Sequence, residues 1–185
     1  MFKRVILWLF VAVPFSVFAD DCPVDGSCRL PVKFTGYYLE NTCEVSINNN
    51  SMAEVIQLPV ISHQRLASDG DEAGSQTFSV TLKTCPLSHK VALRFLPANI
   101  SADAETGNVK NSVGDGYSKN VQIRLRNEDG VQMRLNDANS LQEYLIPDTG
   151  EDVTHHFIAS YYAKGTAAVT AGKIHTLAAI EVVYK

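Results

Sequence analysis

The last fifteen residues, "AGKIHTLAAIEVVYK" (171–185), decide the fold class of this chain. Every second position from 174 onward carries an apolar or strand-forming side chain: Ile174, Thr176, Ala178, Ile180, Val182 and Tyr184. Alternation with period two is typical of a β-strand with one covered face. A long and almost uncharged strand presents backbone groups along its edge, and such an edge favours pairing with a further strand.

The same alternation recurs along the chain. It is found at 32–38, 43–47, 78–85, 91–95, 121–126 and 131–135. Turn-forming clusters separate these segments, at 48–50, 68–74, 105–108, 114–116, 127–130 and 147–150. Short strands with one wet face and frequent turns predict an all-β antiparallel sandwich. Within it, "RLRNEDGVQMRL" (124–135) is predicted to be one hairpin, and 140–145 a short helical turn.

The first nineteen residues have the pattern of a secretory signal. Lys3 and Arg4 precede an apolar run that ends at Phe18, and Ala19 provides a small residue for cleavage before Asp20. The alternative is a membrane anchor, but the run is shorter than the ~20 residues of a span and contains a proline. We therefore expect residues 1–19 to be removed and the exported chain to have no transmembrane segment.

Charge and cysteine content narrow the function classes further. The formal net charge is −4, and loss of the basic leader makes it more negative, which argues against a general nucleic-acid binder. All four cysteines lie in the exported part, where the compartment is oxidising and disulfides are expected. Cys43 and Cys85 each end a strand-like segment, so a bridge between them would join two strands. Cys22 and Cys28 would be ~20 Å apart in an extended chain, so a bridge between them excludes an extended amino-terminal strand.

The segment "DDCPVDGSCRLPVKF" (20–34) alternates as well. From residue 22 onward its even positions are small or apolar: Cys22, Val24, Gly26, Cys28, Leu30, Val32 and Phe34. Two prolines at odd positions cannot donate to a hydrogen-bond ladder, which argues against a central strand of an ordinary sheet.

Three separated patterns resemble chaperone–usher pilins of the type 1 kind. "VKFTGYYLENTCEV" (32–45) is similar to the family's first strand, in which V-x-F-x-G is followed seven residues later by a cysteine, here Cys43. "AGSQTFSVTLKTCP" (73–86) is similar to the strand that carries the second cysteine, here Cys85. The segment 159–185 resembles the carboxyl-terminal signature, with Gly172 fourteenth from the end and Tyr184 next to last.

The resemblance implies an immunoglobulin-like sandwich of six strands that lacks the seventh. The missing strand would leave a groove beside the carboxyl-terminal strand, which a periplasmic chaperone fills first and the next subunit fills at the outer-membrane usher. It implies a signal at 1–19, a donor extension at 20–31 and a pilin domain at 32–185. The donor residues would be Val24, Gly26, Cys28 and Leu30. The receiving edge would be Gly172, Ile174, Thr176, Ala178, Ile180, Val182 and Tyr184.

As a function, the resemblance implies a structural subunit that travels through the periplasm to the cell-surface fimbrium and supports adhesion, with neighbouring pilin subunits as partners. It implies neither an enzyme nor a cofactor. Cys22 and Cys28 depart from the family's donor pattern, and three states stay open: free thiols, a mutual bridge, or bridges elsewhere. The alternatives in function are a minor adaptor or terminator, a receptor-binding tip adhesin, and a secreted β-sandwich enzyme or metal carrier.

The sequence offers little support for a catalytic or metal-binding function. The sequence contains no G-x-S-x-G, H-E-x-x-H or P-loop pattern. Adjacent His155 and His156 would lie on opposite faces of a strand, which is a poor start for a metal site. The acidic turn at 68–74 lacks the spaced ligands of a calcium loop, so a solvated turn is expected.

Overall fold

The computed structural model describes residues 33, 35, 42–50, 52–98 and 101–185. The description below concerns the unit Leu39–Lys185. The leader (1–19), the extension (20–31) and the alternating segment at 32–38, apart from Lys33 and Thr35, lie outside the described residues.

Strands make up almost all of the regular structure. The described residues form β1 (Glu44–Ile47), β2 (Glu72–Lys83), β3 (Lys90–Pro97), β4 (Val109–Lys110), β5 (Val121–Asn127), β6 (Gln142–Leu145), β7 (Val153–Ala163) and β8 (Ala178–Tyr184). One short 3₁₀ helix (His63–Leu66) is capped by Ser62, whose side chain accepts a hydrogen bond from the backbone N–H of Gln64. The all-β prediction is confirmed. Among the described residues eight strands are found, where the resemblance implied six.

The strands form two antiparallel sheets. The first has the order β1-β2-β7-β5-β4 and the second has the order β6-β3-β8. The pairing of β2 with β7 is interrupted by a bulge between Ala73 and Gln76. Consecutive strands such as β2 and β3 lie in different sheets, so the chain crosses repeatedly between the two layers and encloses one core.

Aromatic side chains join the two layers. Phe78 and Phe157 come from the first sheet and Phe95 from the second, with ring centroids 5.1 to 6.1 Å apart. Tyr144 of β6 is fully buried, and its hydroxyl donates to the carbonyl of Val80 at 3.1 Å. Because a buried hydroxyl needs a partner, this hydrogen bond fixes β6 of one sheet against β2 of the other.

Cys43 and Cys85 form a disulfide, as predicted, with their Cα atoms 4.2 Å apart. The bond links the residue before β1 to the segment that follows β2. A cross-link of this kind stabilises the fold mainly by restricting the unfolded chain.

The helical turn predicted at 140–145 is wrong, because most of this segment is strand β6, which pairs with β3. Tyr144 enters the core, whereas its neighbours Glu143 and Leu145 are exposed. This alternation, which the short apolar pattern did not reveal, selects the strand.

The hairpin predicted at 124–135 forms only near its turn. The N–H of Met133 donates to the carbonyl of Leu125, but the N–H of Leu135 donates to Gly107 instead of β5. Both Met133 and Leu135 are buried. The alternation therefore located two core residues correctly, although the second strand is not regular.

Candidate functional site

Strand β8 lies at the edge of the three-stranded sheet. It pairs with β3 over its whole length, from Ala178 opposite Pro97 to Tyr184 opposite Val91. Among the described strands, none pairs with the other side of β8. Backbone N–H and C=O groups on that side need a partner when they are buried, so the edge is suited to binding a further strand.

The core-facing side chains of β8 are only half covered. They stand opposite β3 residues as follows: Ile180 with Phe95, Val182 with Leu93, and Tyr184 with Val91. The three β3 residues are 0 to 4% exposed, whereas the three β8 residues are only partly buried. Adjacent strands on one face of a sheet normally share one covering layer. The contrast therefore marks a groove that begins at β8.

The residues before β8 are held by a different part of the chain. The carbonyl of Lys173 accepts a hydrogen bond from the N–H of Ser118, and that of His175 accepts one from Ser112. These contacts draw 173–176 away from β3. The regular strand therefore begins at Ala178, later than the alternation predicts, and the predicted edge residues Ile174 and Thr176 precede it.

Gly172 is required by a close approach of two backbones. A Cβ atom at this position would lie 2.5 Å from the backbone N of Ser118 and 2.7 Å from the carbonyl carbon of Tyr117. Only glycine allows the chain to pass here. The predicted role of Gly172 as the start of the receiving edge remains a prediction, and the structure adds this steric reason for a glycine.

A cavity of about 800 Å³ lies where 57–66 faces 169–175. Its apolar lining includes Leu58, Ile61, Leu66, Tyr161, Val169 and Ile174. Its lining ends at His175, so the cavity lies beside the segment that leads into β8.

Segment 55–61, here called the free wall, packs against the same core as β8, so we assign it as the other wall of the groove. Ile56 and Leu58 pack against the main core and Ile61 against a smaller cluster, whereas Val55 and Val60 are 80% and 101% exposed. No backbone hydrogen bond joins the free wall to a strand among the described residues. The free wall was not predicted from the sequence, although the alternation of Ile56 and Leu58 was a signal for it.

Two observations locate the ends of the groove. The N–H of Cys43 donates to the hydroxyl of Tyr184, at the end of β8, at 2.6 Å. Leu58 and Ile61 of the free wall line the same cavity as Ile174, which precedes β8.

Charged side chains gather on the outer face of the first sheet. Glu72 binds Arg126 through two hydrogen bonds and accepts another from Ser160. Burial alone raises the pKa of Glu72, but the hydrogen bonds from Arg126 and Ser160 outweigh it and lower the pKa below its usual value. Arg124 also lies over the ring of Tyr162, 3.8 Å from its centroid. This cluster ties three strands together and does not face the groove.

The adjacent residues His155 and His156 both lie near the carboxylate of Glu128. Glu128 lies 2.6 Å from Nδ1 of His155 and 3.7 Å from Nδ1 of His156. The hydrogen bond with His155 is the main reason that the pKa of Glu128 is lowered. Within the described ranges, no cluster of three or more His, Cys, Asp or Glu side chains is arranged to hold a metal ion.

Two carboxylates of the acidic turn at 68–74 accept hydrogen bonds from backbone N–H groups. Asp71 accepts from the N–H of Ser68, and Asp69 accepts from the N–H of Gly165.

The predicted donor residues Val24, Gly26, Cys28 and Leu30 lie outside the described residues, as does the possible pair Cys22 and Cys28. Their assignment remains a prediction. In the part of the chain that the structure describes, no helix has the length and apolar character needed to cross a membrane.

Comparison with known proteins gives the family. The family model described as "Fimbrial protein" matches residues 32–185. The chain belongs to the fimbrial protein family. The family consists of structural pilus subunits. An F17 fimbrial protein of Escherichia coli is 32% identical to this fimbrial protein over 161 residues, which covers 83% of this chain and 86% of the relative. The serotype 3 fimbrial subunit of Bordetella pertussis is 26% identical over an alignment that covers 83% of this chain and 85% of the relative.

Solved structures show the fold of this fimbrial protein. The P pilus rod subunit PapA superposes with a TM-score of 0.60 at 16% identity, over 77% of this chain and 99% of that one. A chain from the structure of a chaperone–usher pilus superposes with a TM-score of 0.58 at 17% identity, over 89% of this chain and 100% of that one. The fold is therefore the immunoglobulin-like sandwich of pilins.

Proposed function

We propose that this fimbrial protein is a structural subunit of a chaperone–usher pilus and that it polymerises by donor-strand exchange. Its groove would take a strand from a periplasmic chaperone and then, at the outer-membrane usher, the 20–31 extension of the next subunit. The assembled fibre would lie on the cell surface and support adhesion.

The observation that carries the proposal is the half-covered edge of β8. Ile180, Val182 and Tyr184 belong to the core face, yet they remain partly exposed beside fully buried residues of β3. A strand inserted between β8 and the free wall would satisfy the backbone groups of β8 at the ~4.8 Å spacing of a sheet and cover these side chains.

The composition of the 20–31 segment supports it as the occupant. The small and apolar residues at its even positions from 22 to 30 would face the groove, and Gly26 would suit the point where two backbones approach most closely. Its prolines fall at odd positions, so alternate residues of the segment keep an N–H for bonding to a wall.

A truncation tests the proposal. A chain that lacks residues 20–31 but keeps the leader should still be exported and bound by the chaperone, yet should not pass a strand to a neighbour, so fibres should stop growing. The control variant keeps the length of the segment and scrambles its order. Fibres of normal length from the truncated chain would rule out the donor assignment.

A further inference from the structure

Two tyrosine hydroxyls make long-range hydrogen bonds beside the groove, one to the free wall and one from the end of β8. The hydroxyl of Tyr161 donates to the carbonyl of Pro59 at 3.2 Å. The hydroxyl of Tyr184 accepts from the N–H of Cys43 at 2.6 Å. These contacts join positions 102 and 141 residues apart in sequence.

The free wall needs such support because no ladder holds it. Its backbone makes no backbone–backbone hydrogen bond to a strand in the described part of the chain, and Pro59 has no N–H to donate. Its known attachments are the packing of Ile56, Leu58 and Ile61 and the hydrogen bond from Tyr161. An apolar wall held this loosely beside another apolar wall tends to close over it, because closure removes apolar surface from water.

The ring of Tyr161 is held in a slot shaped by glycine. A Cβ atom on Gly74 would lie 2.7 Å from Cδ2 of Tyr161 and 3.2 Å from Cγ2 of Ile61. Gly74 has a φ of +65° and sits at the bulge between β2 and β7. Burial raises the pKa of Tyr161, so its hydroxyl keeps its proton and donates. The ring therefore supports the free wall from a fixed position.

Tyr184 is fixed at the opposite end. It belongs to β8, and the residue that it contacts, Cys43, is bonded to the buried Cys85. The hydroxyl therefore links the last strand directly to the disulfide.

We propose that Tyr161 and Tyr184 are positioning residues that fix the two sides of the groove before a donor strand arrives, Tyr161 by holding the free wall against β7 and Tyr184 by holding the end of β8 at Cys43. This inference rests on the proposed function. The contacts raise the fraction of subunits whose groove is open, and that fraction scales the apparent affinity and the association rate. Once a strand is bound, it bonds to both walls itself, so the hydroxyls have little influence on its departure.

The test measures the binding kinetics of a labelled synthetic peptide. The peptide has the sequence of residues 20–31 with both cysteines replaced by alanine, and stopped-flow fluorescence follows its uptake by the mature chain. Tyr161→Phe and Tyr184→Phe should each slow association about 3- to 10-fold, the size expected for one hydrogen bond, and leave dissociation unchanged. The double variant should slow it by roughly the product of the two factors.

Tyr162→Phe is the matched control. Tyr162 is the next residue on β7, so it lies on the opposite face, under the guanidinium of Arg124. Unchanged association in the two groove variants would overturn the inference, as would faster dissociation alone or an equal effect of Tyr162→Phe. If the unchanged chain took up no peptide, the proposed function itself would fall, and the inference with it.

Discussion

Glycine at position 74 leaves room for the ring of Tyr161, and glycine at 172 leaves room for the backbone at Ser118. At both positions a Cβ atom would come too close to neighbouring atoms, so a glycine is needed for the packing seen here.

Gly74→Ala should lower the free energy of unfolding by about 2–4 kcal/mol, because the φ of +65° is unfavourable for alanine and the new methyl group displaces the ring of Tyr161. The measurement is urea unfolding of the mature chain with the 20–31 peptide in excess. Gly130→Ala is the control, since Gly130 has a φ of +80° but nothing within 4 Å of its Cβ position. It should lose only about 1 kcal/mol. Equal losses would show that Gly74 matters for its backbone conformation alone.

The free energy of unfolding is expected to depend on pH through Asp103. Burial raises the pKa of its carboxyl, but hydrogen bonds from Lys164 and from the backbone N–H groups of Thr106 and Glu105 outweigh it and hold the pKa well below its usual range. A carboxyl group whose pKa is lower in the folded than in the unfolded state stabilises the fold at any pH above its unfolded-state pKa. This stabilisation is lost as the pH falls towards the folded-state pKa. The stability difference between the unchanged chain and Asp103→Asn should therefore be full at pH 7 and shrink below about pH 4. Urea unfolding across pH measures it, and a difference that grew on acidification would contradict the assignment.

At the scale of elements, alternation in the sequence predicted the strands that have one wet face. β2, β3 and β5 lie where the period of two placed them, and β8 covers the predicted segment from Ala178 onward. The disulfide pairing also followed from the strand ends and the family pattern. Strand β6 was missed because four residues are too short to separate a strand from a helical turn by periodicity.

The second wall of the groove was beyond the reach of local pattern. The free wall is irregular, and its contact from Tyr161 to Pro59 joins residues 102 positions apart. The delayed start of β8 likewise depends on Ser112 and Ser118, which lie far from it in sequence. Such contacts are set by the packing of the whole fold, so no window of sequence contains them.

A pair of valines tests which face of β8 binds. Val182→Thr places a hydroxyl on the groove face, where a docked strand would bury it without a partner, at a cost of ~1–3 kcal/mol. We expect the 20–31 peptide to bind about 5- to 50-fold more weakly, as measured by fluorescence titration. Val183→Thr makes the same chemical change on the opposite face and should alter affinity less than about 2-fold. Equal effects at both positions would contradict the assignment of the groove face.

At the scale of the whole molecule, the two sheets enclose a core whose β8 side chains are only partly buried. Among the described residues, the first sheet has five strands, whereas the second has three and ends at β8. The central claim is therefore that another polypeptide completes the second sheet. Binding of a strand to the folded form should stabilise the whole domain, since a ligand of the native state shifts unfolding by mass action.

Amide hydrogen exchange measures this claim most directly. In the mature subunit without a partner strand, backbone amides of β8 on the side away from β3 and amides of the free wall should exchange quickly, and both sets should become protected together in the assembled fibre. Protection of both walls already present in the lone subunit, and unchanged on assembly, would contradict the account.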